Sequence, residues 1–399
     1  MERVLSTVKR NTALIVCALW SAVTTAEESP WLLGNWGGQR QALAERGLDM
    51  EFVATADILS VVEGGLSRGM DTPANFDMVF TLDTGTAGWW KNGTVQLYLL
   101  GNAGGAFSRR VGDLQVASNI EAPNTFKVIE IYYEHRFLDD RLGVLVGMHD
   151  INTDFYVTEH GGLFLNSSIG MGIDISQVGP STFPFTSPGV RLRLNWTPNT
   201  YLLAAVNDGI PGDPDNPYGT QIRFDNGDGV FAIAEAGLLG GEAHYYKVGI
   251  GGWYHTATID DLDGRQRDTN SGIYTIAETD VWRTEDGRGV GLFTQLGFAD
   301  GDRNQVSTYV GGGATWTGPF PNRPTDVAGL AVAHARNGDH FKRLNPGLER
   351  AETTLEATYL ISPTAWLTVQ PDLQYIVDPG TDSAIDNAVI LGLRVQVTL

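Results

Sequence analysis

Cysteine is almost absent: among 399 residues only Cys17 carries a thiol. Disulfide bracing and Cys-ligated metal centres are thereby excluded. Cations are also scarce, with 27 Lys and Arg against 47 Asp and Glu, for a formal charge of −20. A nucleic-acid partner needs clustered cations against its phosphates, so none is expected. After residue 26 no run of eighteen apolar residues is free of charge, so no transmembrane helix is expected. The hydrophobic content, 42%, is that of a folded chain rather than a disordered one.

The first residues read as an export signal. Arg3, Lys9 and Arg10 precede an apolar stretch from Thr12 to Ala22, and Thr24-Thr25-Ala26 places small residues where a signal peptidase cuts. The stretch is too short to span a bilayer comfortably. Removing 1–26 would leave a mature chain with no cysteine. Three basic and one acidic side chain would go with the signal, moving the net charge to −22. Residues 27–48 form a separate N-terminal segment. Trp31 to Gly38 is turn-rich, Gln39 to Arg46 holds good helix formers, and Gly47 suits a C-terminal cap.

From 49 to 399 the pattern alternates. Val389, Leu391, Leu393, Val395, Val397 and Leu399 share one face of the last segment, and Gly392, Arg394, Gln396 and Thr398 share the other. Glu130, Tyr132 and Glu134 alternate with Ile129, Ile131 and Tyr133, and Arg191 and Arg193 with Val190, Leu192 and Leu194. Period two with one apolar and one wet face marks a strand between two environments. Such segments occupy 49–60, 74–84, 94–102, 127–137, 141–149, 188–197, 200–207, 230–238, 247–258, 272–283, 289–299, 306–317, 327–336, 353–362, 366–377 and 388–399.

The connections alternate too. Those after even strands are mostly tight, as at Leu138-Asp139-Asp140, Thr197-Pro198-Asn199 and Ser362-Pro363-Thr364. Those after odd strands are longer, at 61–73, 103–126, 150–187, 208–229, 259–271, 337–352 and 378–387, with 300–305 a short exception. Trp89, Trp90, Trp196, Trp253, Tyr254, Trp316 and Trp366 gather near strand ends, where a lipid–water boundary favours aromatic rings. The expected fold is all-β, a sixteen-stranded antiparallel transmembrane β-barrel with a short N-terminal helix. Lipid permits no open sheet edge, and sixteen strands enclose an aqueous lumen.

No catalytic constellation emerges. Gly65-Leu66-Ser67-Arg68-Gly69 fits a nucleophile-elbow spacing but lies in a polar loop, without the strand-to-helix turn that chemistry needs. Asp300, Asp302 and Asn304 have calcium-loop spacing, but Gln305 occupies the position that requires Gly. The acidic loop 208–229 reads as a solvated surface in preference to a Ca²⁺ site. No metal and no cofactor are expected. The longest connection, 150–187, carries Asp150 and Glu159 and is long enough to fold into the lumen. Arg191 and Arg193 should face that lumen too, since a charge on the lipid side costs ~2–4 kcal/mol at midplane. Arg40, Arg68 and Arg109 extend this basic set. Together these seven residues are the candidate substrate-binding constriction, offering a neutral polyol donors and acceptors.

Several stretches resemble the OprB-type carbohydrate-selective porins. Gly34-Asn35-Trp36-Gly37-Gly38-Gln39-Arg40 is similar to that family's G-D-W-G-G-x-R opening, with Asn35 where the family has an acid. Gly64 to Gly69 and Gly147-Met148-His149-Asp150 resemble two further segments. The most specific match is Gln370-Pro371-Asp372-Leu373-Gln374-Tyr375, then Asp378-Pro379-Gly380 and Gly392-Leu393-Arg394, although Leu399 stands where the family ends on an aromatic. The resemblance implies an outer-membrane porin for passive diffusion of small sugars, monosaccharides such as glucose, through an arginine-bearing constriction. Outer-membrane lipid, lipopolysaccharide and the barrel-assembly machinery are then the implied partners besides sugar, in a monomer or a trimer. The residue pattern alone leaves three alternatives open: a general or cation-preferring pore, a secreted glycan-binding or hydrolytic β-sandwich, and a plugged structural barrel.

Overall fold

The computed structural model describes residues 29–213, 216–241 and 244–399, so the expected export signal lies outside the described residues. Eight strands form the first half of one sheet: β1 (Leu48–Glu63), β2 (Ala74–Asp83), β3 (Gly93–Ala103), β4 (Thr125–Phe137), β5 (Leu142–His149), β6 (Ser187–Thr197), β7 (Thr200–Asp208) and β8 (Val230–Gly240). Eight more complete it: β9 (Tyr246–His255), β10 (Asn270–Arg283), β11 (Gly289–Ala299), β12 (Val306–Thr317), β13 (Val327–Asn337), β14 (Ala351–Thr364), β15 (Leu367–Val377) and β16 (Ala388–Thr398). Each pairs with its chain neighbours. β16 also pairs antiparallel with β1, from Val53↔Thr398 to Glu63↔Val389, and this closes the ring. All sixteen alternating segments are strands, and the tight-turn and long-loop ends separate as the connection lengths imply.

The alternation sorts the side chains. Ile131, Val190, Leu192, Ile250, Leu330 and Leu355 stand on the outer face and are exposed in the isolated chain. Their strand neighbours Glu130, Arg191, Ala331 and Glu356 point inward and are buried. Two local readings change. β14 continues through Ser362-Pro363 to Thr364 by way of a register shift, so the tight turn is Ala365-Trp366. Trp253 is not an interfacial residue. It has the inward parity of its strand, is 3% exposed, and stacks on Phe231 at 6.0 Å. Trp89, Trp90, Trp196, Tyr254 and Trp316 do stand exposed near strand ends.

The lumen is not an empty cylinder. Two long connections fold into it, 104–124 and 150–186. The second brings Ile151, Phe155, Tyr156, Phe164 and Ile169 against Tyr201, Phe231, Tyr274, Phe293 and Tyr309 of β7–β12 in one buried cluster. Gly297 of β11 makes room for it, because a Cβ there would sit 2.1 Å from the Asp174 carboxylate. The first brings Phe107, Val111 and Ala117 against Leu59, Val61, Ile376 and Ile390 of β1, β15 and β16. β5 is the shortest of the sixteen strands, and the part of β4 before Ile131 has no β5 partner. Loops cap that exposed edge. Thr220 Oγ1 accepts from the Val128 amide and donates to the Val128 carbonyl, both at 2.9 Å, and Thr186 Oγ1 donates to the Ile129 carbonyl.

The short helix is present as Gln39–Ala44, with Asn35 Oδ1 accepting from the Gln41 amide at 3.0 Å. The chain then turns at Gly47, whose φ of 88° and whose absent Cβ, 2.7 Å from the Asp83 carbonyl, both require glycine. This segment fastens the seam where β1 meets β16. The Leu32 amide donates to the Thr398 carbonyl at 2.8 Å. Arg40 Nη2 donates to the Leu399 carbonyl at 2.8 Å. The Arg40 guanidinium lies 4.4 Å from the Trp31 ring centre and 4.5 Å from that of Trp36. Arg40→Ala removes one hydrogen bond and two cation–π contacts, a loss of roughly 1–3 kcal/mol. Tryptophan-fluorescence unfolding in detergent should show an earlier denaturant midpoint for this variant while its channel conductance stays at the parental value.

Candidate functional site

Each lumen loop is held by side chains that the strand parity turns inward. Carboxylates on five positions of the wall accept loop amides. Glu130 Oε1 takes the Asp150 amide at 2.9 Å, and Glu235 Oε2 takes the Tyr156 amide at 2.9 Å. Glu278 Oε2 takes the His160 amide at 3.1 Å. On β14, Glu356 takes the amides of Leu165 and Asn166, and Glu352 those of Leu114, Gln115 and Gly380. Wall amides complete the set: Gln295, Gln370 and Gln374 donate to the carbonyls of Ile169, Leu163 and Ala117. The loops also join each other, with the Asn119 amide on the Leu165 carbonyl at 2.7 Å and the Ser167 amide on the Val116 carbonyl at 3.0 Å. Together they form a partition across the lumen.

Two charged clusters stand on inward-facing positions of the wall. On β6, Arg191 donates from Nη1 to Glu134 at 2.8 Å and from Nε to Asp154 at 2.9 Å. Arg193 Nη1 lies 3.7 Å from the same Asp154, with about half of its side chain exposed. On β16, Arg394 grips Asp57 of β1 through Nε and Nη2, both at 2.7 Å, and Nη2 also donates to Asn119 Oδ1 at 2.7 Å. β6 and β16 lie six strands apart around the ring. Between them β2–β4 add Asp77 accepting from the Tyr98 hydroxyl at 2.6 Å, and Gln96 donating to Glu130 at 2.6 Å. Each arginine fork is met by at least one carboxylate, so the surface offers both donors and acceptors.

The seven expected site residues separate. Arg191 and Arg193 come together in the lumen. Asp150 stands at the root of loop 150–186, and its carboxylate is occupied by the amides of Asn152 at 2.7 Å and Phe183 at 2.9 Å. Glu159 is exposed on the same loop, beside His160, whose ring contacts Thr315 and Asp280. Arg68 and Arg109 are exposed in the long-loop end. Arg40 is at the opposite end, clamped at the seam, so the expectation that it belongs to the constriction is corrected. It lies in a helix that packs under the strand ends, and no parity directs it inward. Sequence reasoning passed over Arg394, Asp57, Asp154 and the wall carboxylates. Arg394 was within reach, because it shares the inward face of the last strand with Gly392 and Gln396 by the same parity that placed Arg191.

A closed ring of sixteen amphipathic strands, apolar outside and narrowed inside by folded loops, defines an outer-membrane diffusion porin. The profile described as "Carbohydrate-selective porin, OprB family" matches residues 67–399, and the chain belongs to that family. It is 25% identical to Porin B of Pseudomonas aeruginosa, over 96% of this chain and 95% of that protein. It is 19% identical to the putative porin QuiX of Acinetobacter baylyi, over 93% and 94%. A high-pH structure of Pseudomonas putida OprB superimposes with a TM-score of 0.84 at 22% identity, covering 94% of this chain and all of that one. The outer-membrane channel DcaP of Acinetobacter baumannii shares the fold more distantly, with a TM-score of 0.56 at 11% identity over 88% of this chain and 97% of that one.

Arg191→Ala leaves Glu134 and Asp154 without their shared cation. The potassium-to-chloride permeability ratio, read from reversal potentials across a KCl gradient, should rise about two-fold or more. Arg191→Lys should restore only part of the difference, because an ammonium cannot bridge two carboxylates as a planar fork does.

Proposed function

We propose that this porin passes monosaccharides such as glucose by passive diffusion, without catalysis and without a bound cofactor. The observation that carries the reading is the pairing of a loop-built partition with the two matched clusters, Arg191–Arg193–Glu134–Asp154 and Arg394–Asp57. A neutral polyol sheds water on entering a narrow pore and needs hydrogen-bond partners of both kinds. A wall of paired ions supplies both while giving a lone ion little net attraction. Residues 1–26 act as the cleaved export signal, 27–48 are the N-terminal segment whose Leu32 and Arg40 fasten the seam, and 49–399 form the channel. The long-loop end faces outward from the cell and the tight turns face the periplasm. The partners besides sugar are outer-membrane lipid and lipopolysaccharide around the belt and the barrel-assembly machinery during insertion.

Swelling of liposomes carrying the purified mature chain tests the reading. Hexoses should enter several times faster than trisaccharides and faster than charged amino acids of similar size. Equal rates for sugars and amino acids would identify a general pore instead.

A further inference from the structure

Glu352 and Glu356 are four residues apart on one strand, an even spacing that puts both on its inward face, and each is 2% exposed or less. Each carboxylate spreads its two oxygens over consecutive loop amides. Glu356 receives Leu165 N–H at 2.6 Å on Oε1 and Asn166 N–H at 3.0 Å on Oε2. Glu352 receives Gln115 N–H at 3.0 Å on Oε1, and Leu114 N–H at 2.8 Å and Gly380 N–H at 2.7 Å on Oε2. One strand therefore grips both lumen loops and the turn at Pro379-Gly380 as well. The grip reaches the Arg394–Asp57 cluster. Leu165, held by Glu356, accepts the Asn119 amide through its carbonyl, and the Asn119 side chain receives Arg394 Nη2.

We propose that Glu352 and Glu356 are positioning residues that set the bore of the pore: they hold the two loops in the partition, and through Asn119 they hold Arg394 at its lumenal position. A glutamate side chain presents two oxygens to two adjacent N–H groups, where a glutamine presents one. Without the grip, loop amides are left unpaired inside the barrel, and swinging the loop toward water relieves them. The proposal rests on the porin reading.

The test is sugar size selectivity in closed barrels. Glu352→Ala, Glu356→Ala and the double variant are reconstituted in liposomes. Closure is checked by the heat-dependent shift in electrophoretic mobility that folded barrels give. The ratio of disaccharide to monosaccharide swelling rates should rise about five-fold in the double variant, with a higher single-channel conductance. Glu356→Gln keeps one acceptor and should fall between, with more open-channel noise. Closed barrels with the parental ratio and conductance overturn the proposal. If the alanine variants do not close, Glu356→Gln and Glu352→Gln decide it: an increased ratio supports the pins and a parental ratio overturns them. Parental liposomes that admit no sugar would instead overturn the porin reading, before any variant is compared.

Discussion

A backbone amide has no partner in hydrocarbon, and leaving one unpaired there costs several kcal/mol. That constraint organises the molecule twice. In the wall it forbids an edge, and the first and last strands must meet; the β1–β16 ladder from Val53↔Thr398 to Glu63↔Val389 is the consequence. Inside the wall it returns in a second form. Two loops buried against the barrel carry amides that neither lipid nor a regular ladder can satisfy, and inward-facing carboxylates meet them. Where β5 stops short of β4, the same need is met by threonine hydroxyls.

This second solution determines the character of the lumen. Part of the interior is apolar, because the loop 150–186 lays Phe155, Tyr156 and Phe164 against apolar inward positions of β7–β12. A second, smaller apolar cluster seats the loop 104–124 on β1, β15 and β16, and the paired ions stand on β1, β4, β6 and β16. The seated loops and the charged side chains of the strands are joined where Arg394 reaches Asn119. Rigid strands hold Arg191 and Arg394, and their separation around the ring is therefore a property of the wall.

The sixteen segments, their order and the parity of loop lengths were legible because a strand between lipid and water repeats every two residues, a purely local signal. Val389 to Leu399 shows it most plainly, and Arg191 and Arg193 were placed by it. The same rule misplaced Trp253: it sits near a strand end, as an interfacial ring would, but its parity turns it into the apolar part of the lumen. Loop residues carry no parity at all. Asp150 and Glu159 were expected to face the passage because their loop enters it; one caps its own loop and the other is exposed on it. Arg68 and Arg109 remain in exposed loops for the same reason. Nothing in the spacing of Glu352 and Glu356 marks them apart from other acidic residues, since their partners in the two lumen loops are backbone amides nearly two hundred residues or more away.

What the amino-acid sequence determined alone is the wall: its number of strands, which face meets lipid, and which end carries the loops, all set by alternation and turn chemistry between near neighbours. Tertiary structure decided how the interior is filled, which cation meets which carboxylate, and which wall side chain holds each loop. Those outcomes depend on loops meeting strands that are distant in sequence, and only closure of the ring brings such residues within hydrogen-bonding reach.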